Sequence, residues 1–223
     1  MNKALLFLFL LCICSCKQHK KETVSSSVLS QPITIVKVSS PWPESETNFT
    51  YALVPKNKLS TITLNRDEYD AIIGVPVQNI VVTSTTHIPA LEALGEANKL
   101  IGFPDTEYVS SPKTRTRIND GLVQELGNNE SLNSEMVISL NPELVVGFSI
   151  NHENKAYETI QRANIPVVYN GDWTEQTPLG KAEWIKFFAP FFQKEEMADS
   201  IFRTIAGNYN NAKALAKKAN KRP

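Results

Sequence analysis

The residues of this 223-residue chain that could carry out chemistry are few, and their spacing does not assemble a catalytic centre. The three histidines, His19, His87 and His152, are far apart in the sequence, so a multi-histidine metal site is hard to build from them. The sequence contains no Gly-x-Ser-x-Gly motif, no phosphate-binding loop and no Gly-x-Gly-x-x-Gly motif. These patterns argue against an enzyme.

The carboxylates give no stronger indication of catalysis. The pairs Asp67–Glu68 and Glu195–Glu196 lie in segments that look solvent-facing, where charged residues are ordinary. Asp105 and Asp172 each follow a predicted strand and could face one another like the two carboxylates of a glycosidase. No other feature of the sequence selects these two residues, so a cell-envelope hydrolase remains only a weak alternative.

Cys16 is the thiol with the most distinctive context. It closes the run Ile13–Cys16, which comes after Lys3 and the apolar stretch Ala4–Leu11. A basic start, a short apolar core and small residues are typical of a secretory signal. The apolar core is shorter than the roughly 20 residues that cross a bilayer. The run also resembles the bacterial lipobox, which implies that Cys16 becomes the first residue of the mature protein and carries lipid.

The composition agrees with an exported, tethered protein. Cys12 and Cys14 leave with a signal peptide of residues 1–15, so the mature chain would contain no disulfide and no free thiol. Residues 16–31 are polar and serine-rich and predict a flexible tether. A cleaved signal with an incidental cysteine, or an uncleaved anchor, is the alternative. The formal net charge of zero gives no reason to expect nucleic acid as a partner.

The segment of residues 32–78 predicts β-structure. Ile33–Val38 alternates apolar and polar residues and is rich in β-branched side chains, and Phe49–Val54 has a similar composition. The stretch Pro41–Ser45 between them predicts a loop. We expect the two strands to form a small N-terminal β-hairpin.

Residues 79–193 predict an α/β fold with a parallel sheet flanked by helices. Short apolar runs, typical of buried parallel strands, alternate with helical patterns. The predicted strands are Ile80–Thr83, Leu100–Phe103, Leu144–Gly147 and Pro166–Tyr169, and the predicted helices are His87–Leu94, Asn133–Leu140 and Glu153–Ala163. Thr86 is placed to cap the first helix and Gly95 to end it. Strands alternating with helices indicate βαβ units.

The last part of the chain predicts helices only. One helix begins at Pro178 and runs through Phe188, and Pro190 is expected to break or kink the apolar run in which it lies. Lys194–Ala219 predicts one long helix within residues 194–223, which would reach about 35–40 Å. Its apolar residues recur at intervals of three, four or seven: Met197, Ile201, Ile205, Ala212, Leu215 and Ala219.

Three stretches in this order resemble the N-terminal lobe of the class III periplasmic binding proteins. They are Ile80–Leu91 with Leu94–Gly95, then Leu132–Val146, and then Ile165–Val168 with Pro178–Trp184. This family consists of substrate-binding proteins of ABC importers for iron–siderophore complexes, haem and cobalamin. The resemblance implies two α/β lobes joined by one long helix, with the ligand between them. The second lobe is expected to be absent from this sequence, which departs from the family by stopping after the long helix.

The resemblance implies a lipid-anchored receptor in the cell envelope that binds a metal chelate and delivers it to a permease and ATPase complex, without a cofactor of its own. Ligands of parallel sheets lie beyond the carboxyl ends of the strands, and large, partly apolar ligands favour aromatic contacts. The expected ligand-binding residues at those ends are Thr86, His87, Phe103, Tyr108, Phe148 and Trp173. Each has a purely structural alternative: Thr86 could only cap its helix, and Trp173 could belong to the core.

Two charged features complete the expectations. The resemblance implies that Glu135, at the start of a short helix, docks onto the permease, although the helix dipole favours a carboxylate there in any protein. The basic cluster Lys113–Arg117 predicts a solvated loop, with contacts to an anionic chelate as the alternative. A receptor for a free metal ion, using His87, His152 and a carboxylate, stays open, while no repeats or β-sandwich pattern favour an adhesion protein. The sequence does not identify the ligand.

Overall fold

The computed structural model describes residues 26–28, 33–129, 131–149 and 154–218. Cys16, the predicted signal peptide and His152 lie outside these residues. Of the predicted flexible tether, residues 26–28 are described and form a strand paired with the next one, so the tether prediction was wrong for these three residues. Two sheets are packed together, and helices alternate with the strands of the second sheet. Three further helices follow the last strand. The α/β class with a parallel sheet, flanking helices and a long C-terminal helix is as predicted.

The N-terminal sheet has four strands in the order β1-β2-β3-β4. Its strands are β1 (Ser26–Val28), β2 (Thr34–Ser39), β3 (Asn48–Pro55) and β4 (Ala71–Val75). The β2–β3 hairpin confirms the predicted pair, since Val36 pairs with Tyr51 in antiparallel register. No pattern in the sequence indicated β4, which runs parallel to β3 and contains Gly74. A glycine inside such a short strand weakens the alternating pattern by which strands are recognised.

The parallel sheet has five strands in the order β7-β6-β5-β8-β9, and every neighbouring pair is parallel. Its strands are β5 (Ile80–Val82), β6 (Leu100–Phe103), β7 (Gln124–Glu125), β8 (Leu144–Gly147) and β9 (Val167–Tyr169). From the central β5 the chain builds outward through β6 and β7, then returns to the other side of β5 for β8 and β9. The strand order therefore reverses between β5 and β8.

Successive residues of each strand point to opposite faces of the parallel sheet and join two different cores. Val145 of β8 packs on one face with Val137, Tyr157 and Ile160, which come from two helices, α3 (Ser134–Leu140) and α4 (Lys155–Arg162). Leu144 and Val146 face the other way. The sheet is consequently buried on both sides, as its unbroken apolar runs predict.

The second face of the parallel sheet is covered by two helices and by the N-terminal sheet. The helices are α1 (His87–Ala93) and α6 (Ile185–Phe192), and the aromatic rings of α6 supply much of the packing. The N-terminal sheet contributes Tyr51, whose hydroxyl accepts a hydrogen bond from the backbone N–H of Tyr169 at 3.0 Å. That contact satisfies a backbone donor on the outer strand β9, so the two sheets are joined by a polar contact as well as by apolar packing.

Helix α2 (Pro112–Asn119) corrects the expectation of a basic loop. Ser111 caps its N-terminus by accepting a hydrogen bond from the N–H of Thr114, and Pro112 occupies the first turn. Arg115 donates to the carbonyl oxygens of Thr106, Glu107 and Val109, and Arg117 donates to those of Asn98 and Leu100. Both arginines therefore hold backbone segments in place.

The C-terminal part contains α5 (Pro178–Glu183), α6 and α7 (Glu195–Lys218). The single helix predicted from Pro178 through Phe188 was wrong, because the structure divides this stretch at Trp184 into α5 and α6. The expected break at Pro190 was wrong, because Pro190 lies inside α6 and the helix ends only at Phe192, before Gln193 with φ 57°. The predicted long helix begins one residue later than expected, at Glu195, and is helical to Lys218, the last residue that the structure describes. Its 24 residues extend about 36 Å. Part of its expected apolar stripe was wrong, since Ala198, Ile201 and Phe202 join the core while Met197 and Ile205 are exposed.

Among the residues the structure describes, no helix combines the length and the apolar character needed to cross a membrane.

Candidate ligand-binding edge of the parallel sheet

The candidate site lies at the carboxyl edge of the parallel sheet, between the ends of β5 and β8. In open α/β sheets, ligands bind in the crevice outside the strand ends where the strand order reverses. Here Thr83 comes directly after β5 and Phe148 directly after β8, and Asn170 comes directly after the neighbouring β9. We call this place the switch-point edge.

A buried hydrogen-bond network joins the two strand ends. The N–H of Phe148 donates to Thr83 Oγ1 at 3.2 Å, and the Tyr157 hydroxyl donates to the carbonyl oxygen of Phe148 at 3.1 Å. Tyr157 Oη also lies 3.0 Å from Thr83 Oγ1. Burial raises the pKa of Tyr157 well above its ordinary value, so the hydroxyl keeps its proton and can donate. The network fixes the backbone beyond both strands.

Gly147 is required for this network. A Cβ at this position would lie 2.6 Å from Cζ of Tyr157, and that contact involves the ring itself rather than a flexible end. The absence of a side chain lets the Tyr157 ring lie across the end of β8 and reach Thr83. We did not predict Thr83, Gly147 or Tyr157 as site residues. A glycine ending an apolar run is the only signal for them in the sequence, because contacts between distant segments leave no local pattern.

Four of the six predicted contact residues keep part of their side chains accessible. Phe148 and Trp173 are half-buried and meet edge to face, with ring centroids 6.4 Å apart and an interplanar angle of 75°. Tyr108 is 67% exposed. Thr86 is exposed and its Oγ1 lies 2.8 Å from Ser84 Oγ; its side chain makes no capping hydrogen bond to α1, so the expected cap was wrong. Phe148 and Trp173 are the two that the structure brings together.

His87 and Phe103 correct the expected set of ligand contacts. The exposed fraction of His87 is 0% and that of Phe103 is 1%, so neither side chain reaches the surface in this structure. The His87 ring packs against Phe188 of α6, with centroids 5.4 Å apart. His87 directly follows a turn and Phe103 directly precedes a bend, and from the sequence we expected both side chains at the accessible edge of the sheet. Their orientation is instead set by the core on the α6 side of the sheet.

A group of buried polar side chains includes the residue directly before Trp173. It consists of His87, Asn170 and Asp172, and we call it the buried polar cluster. His87 Nε2 lies 3.9 Å from Asp172 Oδ1. Burial lowers the pKa of His87 to about 4, and the nearby Asp172 carboxylate opposes this shift only in part. The imidazole is therefore neutral at physiological pH.

Glu135 is the remaining predicted site residue in the described part of the chain. It is exposed in the first turn of α3, where Asn133 caps the helix by accepting a hydrogen bond from the N–H of Met136. Cys16 lies outside the described residues, as does His152 of the metal alternative. Within the described residues, no group of three or more His, Cys, Asp or Glu side chains is arranged to hold a metal ion.

The fold and the switch-point edge define an α/β binding lobe, and comparison with known proteins identifies its family. The model of the family described as periplasmic binding protein matches residues 80–223, so the chain belongs to that family. Its matched members are substrate-binding proteins rather than enzymes. The predicted membership among the class III periplasmic binding proteins is confirmed.

Individual relatives agree with this assignment. An uncharacterized lipoprotein of Methanocaldococcus jannaschii is 26% identical over 143 residues, covering 61% of this chain and 34% of that protein. The petrobactin-binding protein YclQ of Bacillus subtilis has a TM-score of 0.55 and 17% identity, over 84% of this chain and 55% of that one. A periplasmic haem-binding protein of Pseudomonas aeruginosa has a TM-score of 0.53 and 18% identity, over 66% and 50%. The chain spans about a third to about half of these relatives' lengths.

Proposed function

We propose that this chain is the substrate-binding component of an ABC importer and that it binds a metal chelate of the iron–siderophore, haem or cobalamin type. The observation that carries the proposal is the aromatic pair Phe148–Trp173 beside the switch-point edge of a periplasmic-binding-protein lobe. Among proteins of the same fold, one is named for binding petrobactin, one for binding haem, and a third is a siderophore-binding protein solved with acinetobactin and ferric iron. Low identity limits these likenesses to the fold, so the ligand is part of the proposal.

The proposed contacts follow from accessibility at the switch-point edge. Phe148 and Trp173 offer apolar ring faces, and Tyr108 and Thr86 add hydroxyl groups. Large ligands are typically held by aromatic surfaces together with a few polar groups. Macrocycles and catecholate or hydroxamate chelates combine such surfaces, and this chemistry supports a chelate more strongly than a free metal ion.

Replacing Trp173 with alanine is expected to weaken the binding of hemin, a ferric siderophore or cobalamin by about tenfold, whichever of them the wild type binds. This loss corresponds to about 1.4 kcal/mol, near the value of one aromatic contact. The full chain is titrated with each probe and followed by absorption and tryptophan fluorescence. Tyr209→Ala on α7 is the control, because this exposed aromatic residue is 36% accessible and lies far along the chain from the switch-point edge. Failure of the wild type to bind any of the three probes would refute the proposal.

We further propose that the protein is tethered to the cell envelope through lipid on Cys16. The lipobox-like run Ile13–Cys16 supports this, and the relative in Methanocaldococcus jannaschii is named a lipoprotein. A lipid anchor on a mature N-terminus would place the switch-point edge near the membrane importer. Mass spectrometry of protein from membranes tests the tether, and an unmodified N-terminus other than Cys16 would contradict it.

Glu135→Ala is expected to leave the affinity for the chelate unchanged and to reduce docking onto the permease by roughly tenfold. The carboxylate is exposed in the first turn of α3, and loss of one charge from an interface pair has an effect of this order. Docking is measured by binding to the permease complex in nanodiscs. Glu196→Ala, an exposed carboxylate on α7, is the matched control. Equal docking by the two variants would exclude the role of Glu135.

A further inference from the structure

The buried polar cluster contains polar atoms that the fold removes from water without pairing them. In the part of the chain that the structure describes, both ring nitrogens of His87, Asn170 Nδ2 and Asp172 Oδ1 have no hydrogen-bond partner. His87 and Asn170 are 0% exposed and Asp172 is 7% exposed. Unpaired buried polar groups are rare in native proteins because each costs about 1–3 kcal/mol. Their concentration in three residues next to the turn that contains Trp173 requires a physical explanation.

The cluster belongs to the turn that carries Trp173. Asp172 and Trp173 are consecutive residues of the 3-10 turn Asp172–Thr174. The N–H of Asp172 donates to Asn170 Oδ1 at 2.8 Å, and Thr174 Oγ1 donates to the Gly171 carbonyl oxygen at 2.8 Å. Within this turn the Asp172 side chain is buried, and those of Trp173 and Thr174 are half-buried. A contact that holds Asp172 would therefore also constrain its neighbour Trp173.

His87 is the fixed partner of that carboxylate. It is the first residue of α1, whose Ile88 and Leu91 are buried in the core, and its ring packs on Phe188. The 3.9 Å between His87 Nε2 and Asp172 Oδ1 exceeds an ordinary hydrogen bond by about 1 Å. A hydrogen bond between these two atoms therefore requires the carboxylate to move about 1 Å toward the ring. Asn170 lies beside the imidazole but without the geometry of a hydrogen bond.

We propose that His87 is a positioning residue: its Nε2–H donates to Asp172 Oδ1 and so holds the Asp172–Thr174 turn, with Trp173, against Phe148. A neutral imidazole carries one ring proton, and this hydrogen bond assigns it to Nε2. The contact links α1, which begins at the switch point, to the loop after β9. The position of Trp173 at the switch-point edge then depends on His87, which is fully buried and does not contact the ligand. The role in ligand binding rests on the proposed function, whereas the role in placing Trp173 does not.

The first test needs no ligand. The full chain is labelled with 5-fluorotryptophan, and its three tryptophan signals are resolved by ¹⁹F NMR. The signal that disappears in Trp173→Phe is assigned to Trp173. His87→Leu keeps an apolar side chain of similar size without a donor, and His87→Gln keeps a donor near Nε2. We expect the Leu variant to shift and broaden the Trp173 signal, while the Gln variant keeps it near the wild-type position. Trp42, which packs against Phe49 and Tyr169, is the internal control.

An unchanged Trp173 signal in His87→Leu, or equal changes in the Leu and Gln variants, would overturn the proposal. Long-range ¹H–¹⁵N spectra of the wild type give a second measurement that depends on no variant. The Nε2–H tautomer of His87 is expected, and the Nδ1–H tautomer would overturn the proposal even if His87→Leu fails to fold.

The second test uses hemin as the probe. We expect His87→Leu to weaken hemin binding about tenfold and His87→Gln to weaken it less than about threefold. The leucine removes the hydrogen-bond donor to Asp172, whereas the glutamine keeps a donor of another chemical type. Equal affinities for the wild type and His87→Leu would contradict the link between positioning and binding. If wild type does not bind hemin, the haem branch of the proposed function fails, and the NMR experiment still decides the positioning role.

Discussion

Phe188→Ala is expected to lower the free energy of unfolding by about 3–5 kcal/mol, the usual cost of removing a buried phenylalanine ring. Phe188 is 1% exposed in α6 and meets the rings of both Phe187, at 5.1 Å, and His87, at 5.4 Å. Its removal leaves a cavity between α6 and α1 that close-packed neighbours cannot fill. Urea unfolding followed by circular dichroism measures the change from the shift of the midpoint at constant slope.

Tyr108→Ala is the control for this effect. Its side chain is 67% exposed, and surface substitutions usually change stability by no more than about 0.5 kcal/mol. Similar losses in the two variants would show that α6 does not form one core with α1 and the parallel sheet. A change of slope in Phe188→Ala would instead indicate that α6 unfolds separately from the rest.

Acid is expected to destabilise the wild-type chain by up to roughly 3 kcal/mol through His87 alone. The pKa of a histidine in the unfolded chain is about 6.5, and burial lowers the pKa of His87 in the folded chain to about 4. Between these values the unfolded state binds more protons than the folded state, so the free energy of unfolding falls as the pH falls from about 6.5 to about 4. Above pH 7 His87 is neutral in both states and contributes no pH dependence.

Urea unfolding of wild type and His87→Gln at several pH values between 7.5 and 4 measures this contribution. His19 and His152 are common to both proteins, so the difference between the two pH profiles isolates His87. The wild-type profile should be the steeper one between pH 6.5 and 4. Parallel profiles would mean that His87 is accessible to protons in the folded state.

The parallel strands could be predicted from the sequence because strands that are buried on both faces consist of uninterrupted runs of apolar residues. Ile80–Val82 and Leu144–Gly147 are such runs, and the structure has both at the centre of the sheet. Helix α7 was predictable for a similar reason, since 24 residues provide many repeats of the helical period. Three strands were missed. β1 lies in the serine-rich segment predicted as a tether, β4 contains Gly74, and β7 is only two residues long.

The candidate site was predictable as a place but not as a set of side chains. The carboxyl ends of the strands follow from the βαβ pattern, and Phe148 and Trp173 were found there. The accessibility of a residue at such an end depends on which elements pack over it. His87 was expected at the surface and is buried because α6 lies against α1. The residues around His87 in the sequence do not indicate where α6 packs.

The central position of β5 affects the order in which the chain can fold. Ile80 pairs with Leu100 on one side and with Leu144 on the other, so β5 keeps one unpaired edge until the ribosome has produced β8. Unpaired edges of apolar strands associate readily with other chains. Nascent chains that stop between β6 and β8 are therefore expected to aggregate, and chains that include β8 to remain dispersed. A chaperone that covers Ile80–Val82 during translation is expected to prevent this association.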